Sequence, residues 1–111
     1  FLGMVIDTNT RKPVLANNTG GVSGPAIRPI AVRMVHQVAN SINIPVLGMG
    51  GIITGNDAIE FMLAGATAVS VGAGNFIAPD TSIKVIEGIQ DYMRFHNIDD
   101  INKLIGKVEL N

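Results

Sequence analysis

Apolar positions along this chain alternate between helical spacing and short unbroken runs, and the alternation lays out its elements. Ile27, Ile30, Ala31, Met34, Val35, Val38 and Ala39 recur at intervals of three and four residues, which puts them on one face of a helix. Arg28, Arg33, His36, Gln37 and Asn40 fill the other face. Ser23 or Gly24 starts this helix, since Pro25 suits a first turn whose N–H groups lack partners anyway. Ile44 to Met49 is a mostly continuous apolar run, the signature of a parallel strand covered on both faces. Thr54-Gly55-Asn56-Asp57 has the pattern of a capping box and opens a second helix through Phe61, Met62 and Leu63, stopped by Gly65. Ala68 to Val71 is the next strand. Asp80 or Thr81 caps a third helix with Ile83, Ile86, Ile89 and Met93 turned inward. Asp100 to Ile105 forms a short last helix that ends at Gly106.

Residues 1–25 break this rhythm. They hold turn formers (Asp7-Thr8-Asn9-Thr10, Asn17-Asn18, Gly20-Gly21, Ser23-Gly24-Pro25) and little periodicity. Met4-Val5-Ile6 and Pro13-Val14-Leu15-Ala16 pair as the arms of a small hairpin within one long functional loop. The remainder alternates helix and strand, which is the α/β pattern. Two parallel strands cannot cover both faces of a sheet by themselves. The expected fold is therefore the C-terminal part of a (β/α)8 TIM barrel, with about two parallel strands and four helices in residues 1–111. Its core would be completed by further strands or by another copy, so a homo-oligomer is expected.

Composition narrows the function. The chain has 111 residues, is 47% hydrophobic and 15% charged, and carries a net charge of −1. With a mean hydropathy of +0.36 this is a folded chain, and the charge balance offers nothing to nucleic acid or to an anionic membrane. No apolar stretch reaches the roughly 18 residues of a membrane span, and Phe1-Leu2-Gly3-Met4 lacks the basic start of a signal peptide. Cysteine is absent, which removes disulfides, thiolate nucleophiles and Cys-based metal sites and fits a cytoplasmic origin. The start at Phe1 and the low charge read as a piece of a larger protein.

The chemistry is concentrated in glycines. Gly50-Gly51 follows one strand and Gly72-Ala73-Gly74 the next, while Gly20-Gly21-Val22-Ser23-Gly24 leads into the first helix. Glycine at a strand's C-terminal end lets backbone N–H groups approach an anion without a Cβ in the way. Barrel enzymes grip a phosphate with loops of this kind at their C-terminal rim. Any one cluster is most simply a turn; their recurrence after successive strands favours a phosphate grip. His36 and His96 lack a second ligand at helical spacing and read as solvated. Asp57 and Glu60 read as cap and exposed charge, and Arg11-Lys12 as a solvated loop. No catalytic residue and no metal ligand is assigned.

Longer runs resemble a known family. Thr10-Arg11-Lys12-Pro13-Val14-Leu15-Ala16-Asn17 leads into Gly20-Gly21-Val22-Ser23-Gly24-Pro25-Ala26-Ile27-Arg28-Pro29. Ile44-Pro45-Val46-Leu47-Gly48-Met49-Gly50-Gly51-Ile52 and Ala64-Gly65-Ala66-Thr67-Ala68-Val69 follow. Together they are similar to the C-terminal third of a dihydroorotate dehydrogenase catalytic subunit of the NAD-linked class. That resemblance implies an FMN-dependent barrel oxidising dihydroorotate to orotate in pyrimidine synthesis, partnered by an iron–sulfur flavoprotein electron-transfer subunit. It places FMN-binding positions at Gly24, Gly50, Gly51, Gly72 and Ala73.

Two departures from the family follow. Ala73 stands where the family commonly has threonine, so one hydroxyl donor is missing, worth about 0.5–1.5 kcal/mol. The class uses a cysteine as catalytic base and this chain has none, so no turnover is expected from the chain alone. Two other readings stay open: a dihydropyrimidine dehydrogenase-like flavin enzyme, which carries a similar Gly-Gly-Val-Ser-Gly stretch, and a non-catalytic phosphate-binding module.

Overall fold

Strands β5 (Leu47–Met49) and β6 (Ala68–Ser70) pair in parallel, Leu47 with Ala68 and Met49 with Ser70. This pair organises the computed structural model, which describes all residues 1–111. Helices α1 (Arg28–Ala39), α2 (Gly55–Ala64) and α4 (Thr81–Phe95) cover one side of it. Side chains alternate across a strand, so Gly48 and Val69 face the helices while Leu47, Met49, Ala68 and Ser70 face away. Phe61 of α2 is fully buried. A Cβ on Gly48 would sit 2.7 Å from the Phe61 ring and 3.1 Å from Ala66, so the bare strand is what admits the ring. Around it Ala31, Val35, Ile52, Ala58, Ala64 and Val85 close the main core. A second cluster of Ile59, Met62 and Leu104 ties the C-terminal turn to α2.

Several local expectations hold. Thr54 accepts the Asp57 N–H, the Asp57 carboxylate takes the Thr54 N–H, and α2 starts as a capping box. Gly65 ends α2 at φ 126°. α2 and α4 meet at glycines: a Cβ on Gly88 would lie 2.9 Å from the Gly55 Cα, so the two backbones touch.

That crossing corrects half of the expected inner face of α4: Ile89 packs against both clusters and Met93 is half-buried, as expected, but Ile83 and Ile86 are not turned inward. Thr81 and Val85 are buried on α4, whereas Ile83 and Ile86 are 61% and 56% exposed. The close approach at Gly88 turns Thr81, Val85 and Gly88 toward the neighbouring backbone and leaves Ile83 and Ile86 outside. Helix α1 shows the same effect, burying Ala31 and Val35 and leaving Ile30, Met34 and Val38 exposed. Asp80 occupies the expected cap position without making a cap hydrogen bond; Thr81 donates instead to the carbonyls of Gly74 and Ala78. The last helix shrinks to a single 3-10 turn, Ile101–Lys103, capped by Asp100. A short helix absent from the sequence reading, α3 (Gly74–Ile77), follows β6.

The first 22 residues form an arm of two antiparallel ribbons. β1 (Leu2–Gly3) pairs with β4 (Gly20–Gly21), and β2 (Ile6–Asp7) with β3 (Lys12–Pro13). The expected hairpin is present, carried one pair further by the Val14 N–H donating to the Val5 carbonyl at 2.9 Å. The arm lengthens the molecule to 56 Å and raises the radius of gyration to 16.6 Å, against about 13 Å for a compact chain of this length. Accessible surface is 7681 Å², where a self-contained protein of this mass exposes about 5,900 Å².

Candidate functional site

The loops that leave β5 and β6 carry glycines where the strands end. Gly51 holds φ at 71°, a conformation open to glycine and costly for other residues. A Cβ there would meet the Gly24 carbonyl oxygen at 2.5 Å and the Pro25 Cα at 2.9 Å. The segment before α1 and the loop after β5 are thus in backbone contact. A cleft of about 210 Å³ opens beside this contact. Gly24, Gly50, Gly51, Gly72 and Ala73, the five residues expected to bind a cofactor, all line it.

The cleft's chemistry is backbone chemistry. Its other lining residues are Ser23, Ile27, Met49 and Ser70, and none of the nine is charged. The amides of Gly24, Gly50, Gly51, Gly72 and Ala73 donate to no other backbone group, so they are free for an acceptor. An added Cβ on Gly24 or Gly72 would meet nothing within 4 Å; at these points the wall is bare peptide facing open space. Unpaired amides around a concavity suit an anion. No three His, Cys, Asp or Glu side chains gather anywhere in the structure.

Behind the cleft lies an ionic contact that the sequence reading missed. Asp57 is 7% exposed, not solvated, and its carboxylate accepts the N–H groups of Ile53 and Thr54 at 3.0 and 2.9 Å. Arg28 Nη1 lies 3.0 Å from Asp57 Oδ1. Arg28 Nε is 3.8 Å from Glu60 and is buried without a hydrogen-bond partner. Spacing could not reveal this pair, because Arg28 and Asp57 meet only when α1 packs on α2.

Other expected positions lie elsewhere. Gly20 and Gly21 pair with β1 in the arm and do not reach the cleft. Ser70 and Met49 do reach it; strand alternation from the helix-facing Val69 was the signal that could have placed Ser70. A larger hollow of about 600 Å³ lies between the start of α2 and the last turns of α4, and shares no residue with the glycine cleft. No helix is long and apolar enough to cross a membrane.

The family model for dihydroorotate dehydrogenase matches residues 1–93. The chain belongs to that family. It is 61% identical over 97% of its length to the dihydroorotate dehydrogenase B (NAD(+)) catalytic subunit of Alkaliphilus oremlandii. Identity to the corresponding subunit of Porphyromonas gingivalis is 54%, again over 97% of the chain. These matches cover 36% and 35% of the relatives, so the chain spans about a third of their length. Among solved structures, the Eimeria tenella enzyme crystallised with ferulenol superposes with a TM-score of 0.76 and 24% identity, covering 95% of this chain and 29% of that one. The ligand-free form matches at 0.76 and 26%, over 82% of this chain and 26% of that one.

Within this family the fold is the C-terminal part of a (β/α)8 barrel, as the alternation suggested. β5 and β6 are neighbouring barrel strands. The side that Leu47, Met49, Ala68 and Ser70 face is the barrel interior, and the glycine cleft sits at the strands' C-terminal ends, where barrel enzymes place their chemistry.

Proposed function

We propose that this chain supplies the phosphate half of an FMN site in an enzyme oxidising dihydroorotate to orotate. The observation that carries the reading is that five residues from three separated segments line one cleft with amides that donate to no other backbone group. Its 210 Å³ is smaller than the about 300–1,000 Å³ of a complete small-molecule site, which fits one end of a flavin nucleotide. A flavin bound there would supply the hydride acceptor for the oxidation. Gly24, Gly50, Gly51, Gly72 and Ala73 would hold the phosphate through N–H donors, as glycine-rich loops do. Ile27 and Met49 add apolar walls that keep water from those bonds.

Residues 1–111 then form one portion of an FMN-binding barrel domain. The relatives' name, an NAD(+) enzyme's catalytic subunit, supports an electron-transfer partner, read here as an iron–sulfur flavoprotein; a cytoplasmic setting is read from the lack of cysteine. Exposed Leu47 and Met49 on the barrel side leave room for completion by further strands or by a second copy. The 111-residue chain by itself would turn over no dihydroorotate, because it has no cysteine to act as base; a measurable rate from the pure chain would refute this.

The test strips flavin from the full-length natural protein and titrates FMN and riboflavin separately, following flavin fluorescence. FMN is expected to bind at least about tenfold tighter, one charge-assisted hydrogen bond's worth, and Gly51→Asp is expected to abolish the difference. Equal affinity for the two flavins would sink the phosphate grip.

A further inference from the structure

We infer that Arg28 is a positioning residue for the cleft: its ion pair with Asp57 fixes the spacing between the Gly24 segment and the Gly50–Gly51 loop. The inference rests on the FMN reading and assigns the grip a support outside its own walls.

No backbone hydrogen bond joins residues 20–27 to residues 49–56. Their backbones only touch, with the Gly24 carbonyl oxygen filling the space where a Gly51 Cβ would be. Such contact is weakly directional, since each atom pair contributes little and tolerates sliding. The Arg28–Asp57 pair is directional and anchored at both ends. Arg28 opens α1, four residues after Gly24. Asp57 holds the amides of Ile53 and Thr54, which continue directly from Gly51-Ile52. Both partners are largely withdrawn from water, their side chains 27% and 10% exposed, so the pair is less screened than a surface contact. Arg28 does not line the cleft, so its influence on a phosphate must pass through Gly24 and Gly51.

A spacing role predicts a selective defect. Amides aimed at a phosphate lose its oxygens when the two segments drift, while the flavin ring, held elsewhere in the barrel, is unaffected. In the full-length apoprotein, Arg28→Met should weaken FMN about tenfold and leave riboflavin affinity within about twofold. Arg28→Lys keeps the charge without the forked geometry and should recover FMN to within about threefold of wild type. Asp57→Asn keeps a cap acceptor, loses the ion pair, and should behave like Arg28→Met. Equal weakening of FMN and riboflavin would assign Arg28 to general stability and overturn the inference, as would unchanged FMN affinity. A wild-type protein that does not prefer FMN over riboflavin would instead overturn the phosphate reading, and this inference with it.

Discussion

The two sides of the β5–β6 pair are built on opposite terms. Toward the helices, Gly48 and Val69 meet Phe61, Ala66 and neighbouring apolar side chains in a close-packed layer. At the strands' C-terminal ends, the cleft is made largely from side chains that are missing: four of its nine lining residues are glycines, Gly24, Gly50, Gly51 and Gly72, and a fifth, Ala73, carries only a methyl group. The first region is stable because it excludes water from carbon. The second is proposed to bind an anion because its amides donate to no other backbone group. Glycine serves both, at Gly88 as room for a helix crossing and at Gly51 as room for a neighbouring carbonyl.

Substitutions should separate these regions, and the largest effect is expected in the packed layer. Phe61→Ala removes the one large side chain buried completely and should cost about 3–5 kcal/mol in denaturant unfolding of the full-length protein. Protein that still folds should keep its preference for FMN over riboflavin. Loss of that preference at unchanged fold would mean the cleft depends on the core more closely than its geometry implies.

Gly51→Asp should do the reverse in kind. It drives a Cβ against the Gly24 carbonyl oxygen, forcing the two segments apart, and adds a negative charge beside the cleft. FMN affinity should fall at least about tenfold, since a charge-assisted bond is worth about 1.5–3 kcal/mol and like charges repel. Riboflavin titration in parallel checks that the loss is specific. Ala73→Thr tests the same wall by addition. A restored hydroxyl worth about 0.5–1.5 kcal/mol should tighten FMN by about two- to tenfold without changing riboflavin. No gain would mean that position 73 acts through its amide alone.

The smallest effect belongs to the arm. The amides of Asn9 and Thr10 donate to the Asp7 carboxylate and hold its pKa below the ordinary aspartate value. A folded pKa below the unfolded one means the turn's contribution is present at neutral pH and lost as pH falls through the lowered value. Carboxyl NMR should find Asp7 titrating below an unperturbed aspartate, and Asp7→Asn should remove that acid sensitivity. A midpoint at or above the ordinary value would contradict the turn. Asp100 is lowered in the same direction by the Asn102 amide and serves as an internal comparison.

Much of this architecture was legible along the chain because it rests on local rules. The Thr54–Asp57 cap, the Gly65 stop and both parallel strands depend on neighbouring residues and are present, although the first strand begins at Leu47 and not at Ile44 as the apolar run suggested. The helix faces were less legible. Ile83 and Ile86 are as apolar as any residue in α4, yet a glycine crossing at Gly55 and Gly88 decides which row turns inward. Asp57 illustrates the same limit at the site, since its sequence context explains the cap and says nothing of Arg28.

The sequence by itself determined where the bare backbone lies, because a glycine's missing Cβ is a property of the residue. It also determined which runs become strands and helices, through periodicity and capping. Only the tertiary structure decided that Gly24, Gly50, Gly51, Gly72 and Ala73 converge on one cleft, that Gly20 and Gly21 do not, and that Arg28 reaches Asp57. Convergence depends on how helices pack across a sheet, a sum of many weak contacts between residues far apart in the chain, and no local pattern carries that sum.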